Sequence, residues 1–186
     1  MKIEGFTKTY GKKTLRFLTM HARKRIVLIT GANGSGKTTF LRCLSRTLQT
    51  DCGFSKKPFI LMINGSDLPS SLRVKDYLSM LLAFEKNASR LKTLIGHFHI
   101  EPFMNKPIKA LSKGMAQRVA LVATFMHGEG AVLLDEPMQG LDPLYKKSLV
   151  QWMNQTKRVC IVATHETETY EILDSEVYHF ESPDPL

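Results

Sequence analysis

The sequence of 186 residues predicts an α/β fold with a mainly parallel central sheet. From residue 25 onward, short apolar segments alternate with helical segments, which is the order in which parallel strands are joined by helices. A glycine-rich segment, GANGSGKT at 31–38, directly follows one apolar segment and precedes a helical one. A loop of this kind between a strand and a helix is typical of phosphate binding.

Each element is predicted from its own pattern. The front of the chain is predicted as strands at 2–6, 14–20 and 25–30, with a turn at Tyr10-Gly11. In chain order, the further elements are a helix at 37–48, a strand at 59–63, helices at 74–84 and 89–98, a helix capped by Ser112, a strand at 131–134, a helix at 143–156, a strand at 158–163, a helix at 166–173 and a strand at 176–180.

Composition narrows the class of protein. The chain is 43% hydrophobic and 23% charged, as in ordinary soluble domains, and no apolar run approaches the ~20 residues of a membrane helix. The start lacks the apolar core of a secretory signal, and three cysteines without a CxxC pair favour a reducing, cytosolic setting. The net charge is +9, with 13 basic and 2 acidic residues in the first 60. No nucleic-acid partner is expected, because no helix-turn-helix, zinc or interleaved aromatic and basic pattern is present.

The segment 31–38 fits the phosphate-loop pattern GxxxxGK[ST]. Glycines let successive backbone N–H groups turn towards phosphate oxygens, and the following helix adds a partial positive charge. Lys37 is expected to reach the β- and γ-phosphates, and the Thr38 hydroxyl is expected to bind Mg²⁺. The expected ATP-binding residues of this loop are Gly31, Ala32, Asn33, Gly34, Ser35, Gly36, Lys37, Thr38 and Thr39.

Two further strand ends carry polar side chains. AVLLDE at 131–136 is an apolar strand ending in acids, so that Asp135 can reach a Mg²⁺ ion and Glu136 can polarise an attacking water. CIVATH at 160–165 ends in His165, which can contact a γ-phosphate. The phosphate loop alone leaves kinases, GTPases, helicases and transport ATPases open.

Taken in order, the motifs resemble those of the nucleotide-binding domain of ABC transporters, over essentially the whole chain. GANGSGKT resembles Walker A, LSKGMAQRVAL from Leu111 resembles the ABC signature, and VLLDEP at 132–137 resembles Walker B with a catalytic glutamate. GLD at 140–142 resembles the D-loop, and VATH at 162–165 resembles the H-switch. Tyr10 lies where the family places an aromatic ring that stacks on adenine.

The resemblance implies a P-loop NTPase fold of the ABC type. Residues 1–186 would be a single ATPase domain with a shortened N-terminal antiparallel β part, and approximately 65–127 would be an inserted helical subdomain. Two such domains, identical or different, would close around ATP and Mg²⁺. Glu136 and His165 would be catalytic, and Asp142 would connect the two sites. The signature residues, which would act on the partner's ATP, are Ser112, Lys113, Gly114 and Met115.

The resemblance also implies that the transmembrane permease subunits are separate chains. This chain would lie at the cytoplasmic face of the membrane, bound to them, as the ATP-binding subunit of a bacterial transporter. Lys113 and Met115 depart from the usual LSGGQ, and this variant with the short chain favours an exporter. Asn64 stands where the family has a glutamine that contacts Mg²⁺. The alternatives are a soluble ABC ATPase of repair or translation, a weakly hydrolysing regulator and a small-molecule kinase.

Overall fold

The computed structural model describes residues 1–11, 13–51, 59–62, 65–85, 87–128 and 130–181. The chain divides into two compact units. The first unit comprises Met1–Leu61, Gly130–Glu136 and Lys157–Leu186, and the second comprises Met62–Glu129 and Pro137–Thr156. The limits of the helical subdomain within an ATPase domain, approximately 65–127, stay a prediction.

The first unit contains a five-stranded sheet. Its strands are β5 (Ile26–Thr30), β6 (Phe59–Leu61), β7 (Ala131–Asp135), β8 (Cys160–Ala163) and β9 (Ser175–His179), in the order β6-β7-β8-β5-β9. All neighbouring pairs are parallel. The central strands are continuous apolar runs because parallel strands are covered on both faces. The predicted parallel sheet is therefore confirmed.

The strands of the N-terminal part of the first unit pair in antiparallel fashion. Strand β1 (Lys2–Ile3) pairs with β4 (Met20–His21), and β2 (Phe6–Tyr10) pairs with β3 (Lys13–Phe17). The prediction of one strand at 2–6 was wrong. The chain changes partner at Gly5, where the backbone N–H donates to Thr19 Oγ1 at 3.0 Å and an added Cβ would lie 2.7 Å from the Phe17 carbonyl oxygen.

Helix α1 (Lys37–Leu44) follows β5 and buries Phe40, Leu41 and Leu44. It ends four residues before the predicted limit of 48. The Ser45 hydroxyl donates to the Arg42 carbonyl at 3.0 Å, and Arg46 adopts a φ of 61°, which a helix cannot continue through. Phe40 packs with the rings of Phe6, Phe17 and Phe180 at centroid distances of 5.6, 5.3 and 5.1 Å. This aromatic cluster anchors the helix that follows the glycine-rich loop.

The second unit is helical in its described residues. Its helices are α2 (Val74–Glu85), α3 (Ala88–His97), α4 (Lys113–Met126) and α5 (Pro143–Gln155). Helix α4 is buried from Ala116 to Met126. Its Arg118 guanidinium lies 3.8 Å from the centroid of the Tyr145 ring of α5 and donates to the His99 carbonyl at 3.0 Å.

The helix predicted at 166–173 is only a 3₁₀ turn at Glu168–Tyr170. The Thr164 hydroxyl accepts a hydrogen bond from the Glu166 N–H at 3.0 Å. Side chains that bind nearby backbone groups in this way compete with helix formation. Within the described ranges, no helix is both long enough and apolar enough to cross a membrane.

Candidate nucleotide-binding site

The glycine-rich loop lies between β5 and α1, as the sequence predicts. Gly36 caps α1 in a left-handed conformation with φ 97°, and Gly34 has φ 83°. The Ser35 N–H donates to the Ala32 carbonyl at 3.2 Å, which closes a tight turn. Ala32, Asn33 and Gly34 are exposed, so this turn presents its backbone to an incoming ligand.

Gly31 is fixed against the last strand. A Cβ at this position would lie 2.3 Å from the Phe180 carbonyl oxygen, closer than any real contact. The Phe180 N–H donates to the Thr30 carbonyl at 2.8 Å. The start of the loop therefore packs backbone against backbone, and only glycine fits there.

The Lys37 side chain turns back over the loop. Its ammonium donates to the carbonyl oxygens of Gly31 and Ala32, at 2.7 and 3.0 Å. The side chain is buried, so its positive charge has a fixed place beside the backbone N–H groups. A fixed cation above such a loop suits a polyphosphate.

A cavity of about 470 Å³ opens over the loop. It brings together nine of the residues that the sequence singled out: Tyr10, Asn33, Gly34, Gly36, Lys37, Thr38, Thr39, Asp135 and Glu136. Tyr10 ends β2 at one side of the cavity with its ring exposed. The volume falls in the range of small-molecule sites in proteins.

Asp135 ends β7 beside the start of α1. Burial raises the pKa of its carboxyl, and a side-chain hydrogen bond with Thr38 acts in the opposite direction. Thr38 and Asp135 thus offer a hydroxyl and a carboxylate oxygen close together. The described residues contain no cluster of three His, Cys, Asp or Glu side chains for a metal. Two oxygen donors fit Mg²⁺, which usually takes one or two protein ligands together with substrate phosphates.

Glu136 and His165 form a pair. The Glu136 carboxylate lies 3.0 Å from His165 Nδ1, and the Glu136 N–H donates to the Ala163 carbonyl at 2.9 Å. The hydrogen bond with Glu136 raises the pKa of His165, although the imidazole is largely exposed. Glu136 has a φ of 45°. Such backbone strain in a residue other than glycine is typical of active sites.

The signature residues lie in the second unit. Ser112 caps α4, as predicted, and its hydroxyl accepts from the Met115 N–H at 3.3 Å. A Cβ on Gly114 would lie 2.6 Å from the Gly140 carbonyl oxygen, and a Cβ on Gly140 would lie 3.1 Å from Lys113 Cγ. The signature turn therefore packs directly on the segment that leads to Asp142, the N-cap of α5.

Sequence reasoning missed two residues beside these motifs. Leu15 of β3 lines the nucleotide cavity, and a Cβ on Gly36 would lie 3.2 Å from its Cδ1. Gln117 is buried in α4, where its Oε1 accepts from the Gly65 N–H at 3.4 Å and its Nε2 donates to the Pro137 carbonyl at 3.1 Å. A polar residue within the apolar run of α4 was the available signal for Gln117. Asn64 lies outside the described residues.

The fold and the loop define a P-loop nucleotide-binding protein. The sequence model of the ABC transporter family matches residues 18–139, so the chain belongs to that family. It is 28% identical over 195 residues to the uncharacterized ABC transporter ATP-binding protein YhaQ of Bacillus subtilis, covering 93% of this chain and 65% of YhaQ. It is 24% identical over 194 residues to the thiamine import ATP-binding protein ThiQ of Haemophilus ducreyi, covering 92% and 91%.

Solved structures show the same fold. The ATP-binding subunit of an ABC transporter superimposes with a TM-score of 0.84 at 22% identity, covering 97% of this chain and 87% of the other. The dimeric bacterial ABC transporter cassette MJ0796 gives a TM-score of 0.80 at 19% identity, covering 97% and 94%. The predicted ABC-type ATPase fold is therefore confirmed.

The relatives differ in length. The chain spans 65% of YhaQ and 8% of the mouse glucosylceramide transporter ABCA12.

Proposed function

We propose that this chain binds and hydrolyses ATP with Mg²⁺ and powers transport through separate membrane subunits. One observation carries the proposal: the cavity above the glycine-rich loop unites Tyr10, Lys37, Asp135 and Glu136. An aromatic ring, a fixed cation, a metal-binding carboxylate and a second acid are the groups that a nucleoside triphosphatase needs.

Binding uses the loop and its flanks. Tyr10 stacks on the adenine, while the backbone N–H groups of residues 31–36 and the Lys37 ammonium bind phosphate oxygens. Thr38 and Asp135 hold Mg²⁺, and Asn64 is proposed as an additional ligand. When bound, the ion neutralises phosphate charge.

Hydrolysis uses the carboxylate–imidazole pair. Glu136 accepts a proton from the attacking water as the water oxygen bonds to the γ-phosphorus. The bond from that phosphorus to the oxygen bridging the β- and γ-phosphates breaks, and ADP leaves. His165, which is 3.0 Å from that carboxylate, orients it and contacts the γ-phosphate. Glu136, whose backbone has a φ of 45°, lines the cavity.

A second nucleotide-binding domain completes the assembly. Ser112, Lys113, Gly114 and Met115 act on the ATP held by the partner, and Asp142 connects the two sites. The packing of Gly114 on Gly140 supports joint movement of the signature turn and the D-loop. ATP-driven closing and reopening of the pair is a two-state switch that performs mechanical work.

The nucleotide site is tested by Lys37→Ala. We expect isothermal titration calorimetry to show ATP affinity falling at least tenfold, because a charge-assisted contact to phosphate is worth about 1.5–3 kcal/mol. Lys147→Ala, an exposed lysine of α5, is the matched control. Equal ATP affinities in the two variants would exclude the loop as the site.

The membrane partner is expected on α2. This helix exposes Phe84 (79% exposed) and, beside it, Met80, two apolar side chains one turn apart. We expect the tagged chain to recover a polytopic membrane protein from detergent-solubilised native membranes, and the Phe84→Ser variant to recover less of it. Ile172→Ser, at an equally exposed position, is the control. Recovery only of soluble or ribosomal partners would favour the soluble ATPase alternative.

Direction and location follow from that partner. Export is the direction that the LSKGM variant and the short chain predict. The proposed place of the chain, at the cytoplasmic face of the membrane, is the same for import and export. Its relatives include the ATP-binding proteins WtpC, of molybdate or tungstate import, and ThiQ, of thiamine import. Transport into or out of sealed vesicles that contain the recovered partner decides the direction.

A further inference from the structure

A second cavity lies in the first unit beside the glycine-rich loop. We call it the hairpin cleft. It has a volume of about 540 Å³ and lies between residues 15–20, which run from β3 into β4, and residues 178–181, at the end of β9. The remaining lining residue is Ser35 of the loop. The volume suits a small molecule.

The chemistry of the cleft is aromatic and close to neutral. Leu15, Phe17, Met20 and Phe180 supply apolar surface. The exposed charges are one cation, Arg16, and one carboxylate, Glu181. One charge of each sign gives no net attraction for an ion, so the lining favours an uncharged aromatic compound.

One polar group in this lining has no partner. Ser35 is 4% exposed, and its hydroxyl makes no hydrogen bond within the described part of the chain. Two other polar side chains of the lining are engaged: Thr19 Oγ1 accepts from the Gly5 N–H at 3.0 Å, and His179 Nδ1 lies 3.1 Å from Thr30 Oγ1. A buried hydroxyl without a partner costs free energy, which an occupant with a hydrogen-bonding group would recover.

The cleft shares its lining with the nucleotide cavity. Leu15 lines both cavities. A Cβ on Gly36 would lie 3.2 Å from Leu15 Cδ1 and 3.4 Å from Phe17 Cε1. At the other end of the loop, a Cβ on Gly31 would lie 2.3 Å from the Phe180 carbonyl oxygen. An occupant would therefore press on residues that support both ends of the glycine-rich loop.

We propose that the hairpin cleft is a second ligand site, which takes a small uncharged aromatic compound against Phe17 and Phe180. A donor or acceptor on that compound pairs with the Ser35 hydroxyl, which is buried and reaches the compound by rotation of the Ser35 side chain. Occupation changes the affinity of the neighbouring loop for nucleotide, and nucleotide changes the affinity of the cleft by the same factor, because such coupling is reciprocal.

The probe for the first test is N-phenyl-1-naphthylamine, an uncharged aromatic amine whose fluorescence rises in apolar surroundings. We expect saturable binding to the folded full chain at one site. Leu18→Asp, which places a charge in the lining at a 76% exposed position, should weaken binding at least fivefold. Ile172→Asp, at an 80% exposed position outside the lining, should leave it unchanged. Ser35→Ala should weaken it by about three- to tenfold, the value of one hydrogen bond.

The second test measures coupling. With saturating AMP-PNP, the dissociation constant of the probe should change at least fivefold, and calorimetry should give the same factor for AMP-PNP with the probe present. Non-saturable binding, or equal effects of Leu18→Asp and Ile172→Asp, would overturn the site. Unchanged constants would overturn the coupling. Probe binding needs neither nucleotide nor hydrolysis, so the first test is independent of the proposed function. The coupling rests on nucleotide binding at the loop, and the calorimetry with AMP-PNP measures that binding separately.

Discussion

The pair of Glu136 and His165 sets the protonation behaviour of the site. Because Glu136 raises the pKa of His165, the imidazolium persists to higher pH than in the unfolded chain. The stabilisation from this pair is fully present below the unfolded pKa and is lost as pH rises through the folded pKa. Since the imidazole is largely exposed, solvent screens the pair and the effect on stability is small.

An NMR titration of His165 measures this effect directly. We expect the titration midpoint to fall in Glu136→Gln, because the amide removes both the charge and its hydrogen-bond acceptor strength. Glu168→Gln, a nearby exposed acid, should leave the midpoint unchanged. A midpoint in Glu136→Gln that equals that of the unsubstituted chain would show that the two side chains do not interact in solution.

Glycine positions in the loop differ in what limits them. A Cβ added to Gly31 would lie 2.3 Å from the Phe180 carbonyl oxygen. Gly34 has a φ of 83°, and a Cβ added there would meet no atom of the described residues within 4 Å. Alanine at either position carries backbone strain of about 1–3 kcal/mol. Gly31→Ala must also displace β9, so urea denaturation should give a lower midpoint for Gly31→Ala than for Gly34→Ala. Equal midpoints would contradict the close backbone contact.

At the scale of elements, Arg118 of α4 contacts both α5 and the segment that follows α3. Its guanidinium contacts the Tyr145 ring and donates to the His99 carbonyl. Arg118→Met should lower the free energy of unfolding by about 2–3 kcal/mol, because the carbonyl loses a charged donor and the stacked group is lost. Lys147→Met, on the exposed face of α5, should change it by less than about 0.5 kcal/mol. Similar losses of unfolding free energy in the two variants would show that the Arg118 contacts do not stabilise the second unit.

The elements also show what the sequence could and could not predict. Strands β5, β7 and β8 were predictable because central parallel strands are continuous apolar runs, and the loop was predictable from its spacing. The prediction of a helix at 166–173 was wrong. The Thr164 hydroxyl accepts a hydrogen bond from the Glu166 N–H, and the hydrophobic periodicity of the sequence gives no sign of such a bond. Leu15 was missed because its place in the cavity depends on how β2 and β3 pair, a tertiary feature.

For the whole molecule, the central claim is that one site in the first unit both binds and hydrolyses ATP. Its binding groups, around Lys37, and its proposed base, Glu136, come from separate strand ends that the parallel sheet brings to one edge. This arrangement predicts that binding and hydrolysis can be separated by a single substitution.

The most direct measurement is ATP binding and turnover of Glu136→Gln beside the unsubstituted chain and Glu168→Gln. We expect turnover by Glu136→Gln to fall about 100-fold or more, because a general base usually contributes that much, while its ATP affinity is kept. The Glu168→Gln control should keep both. Turnover unchanged in Glu136→Gln would contradict the account.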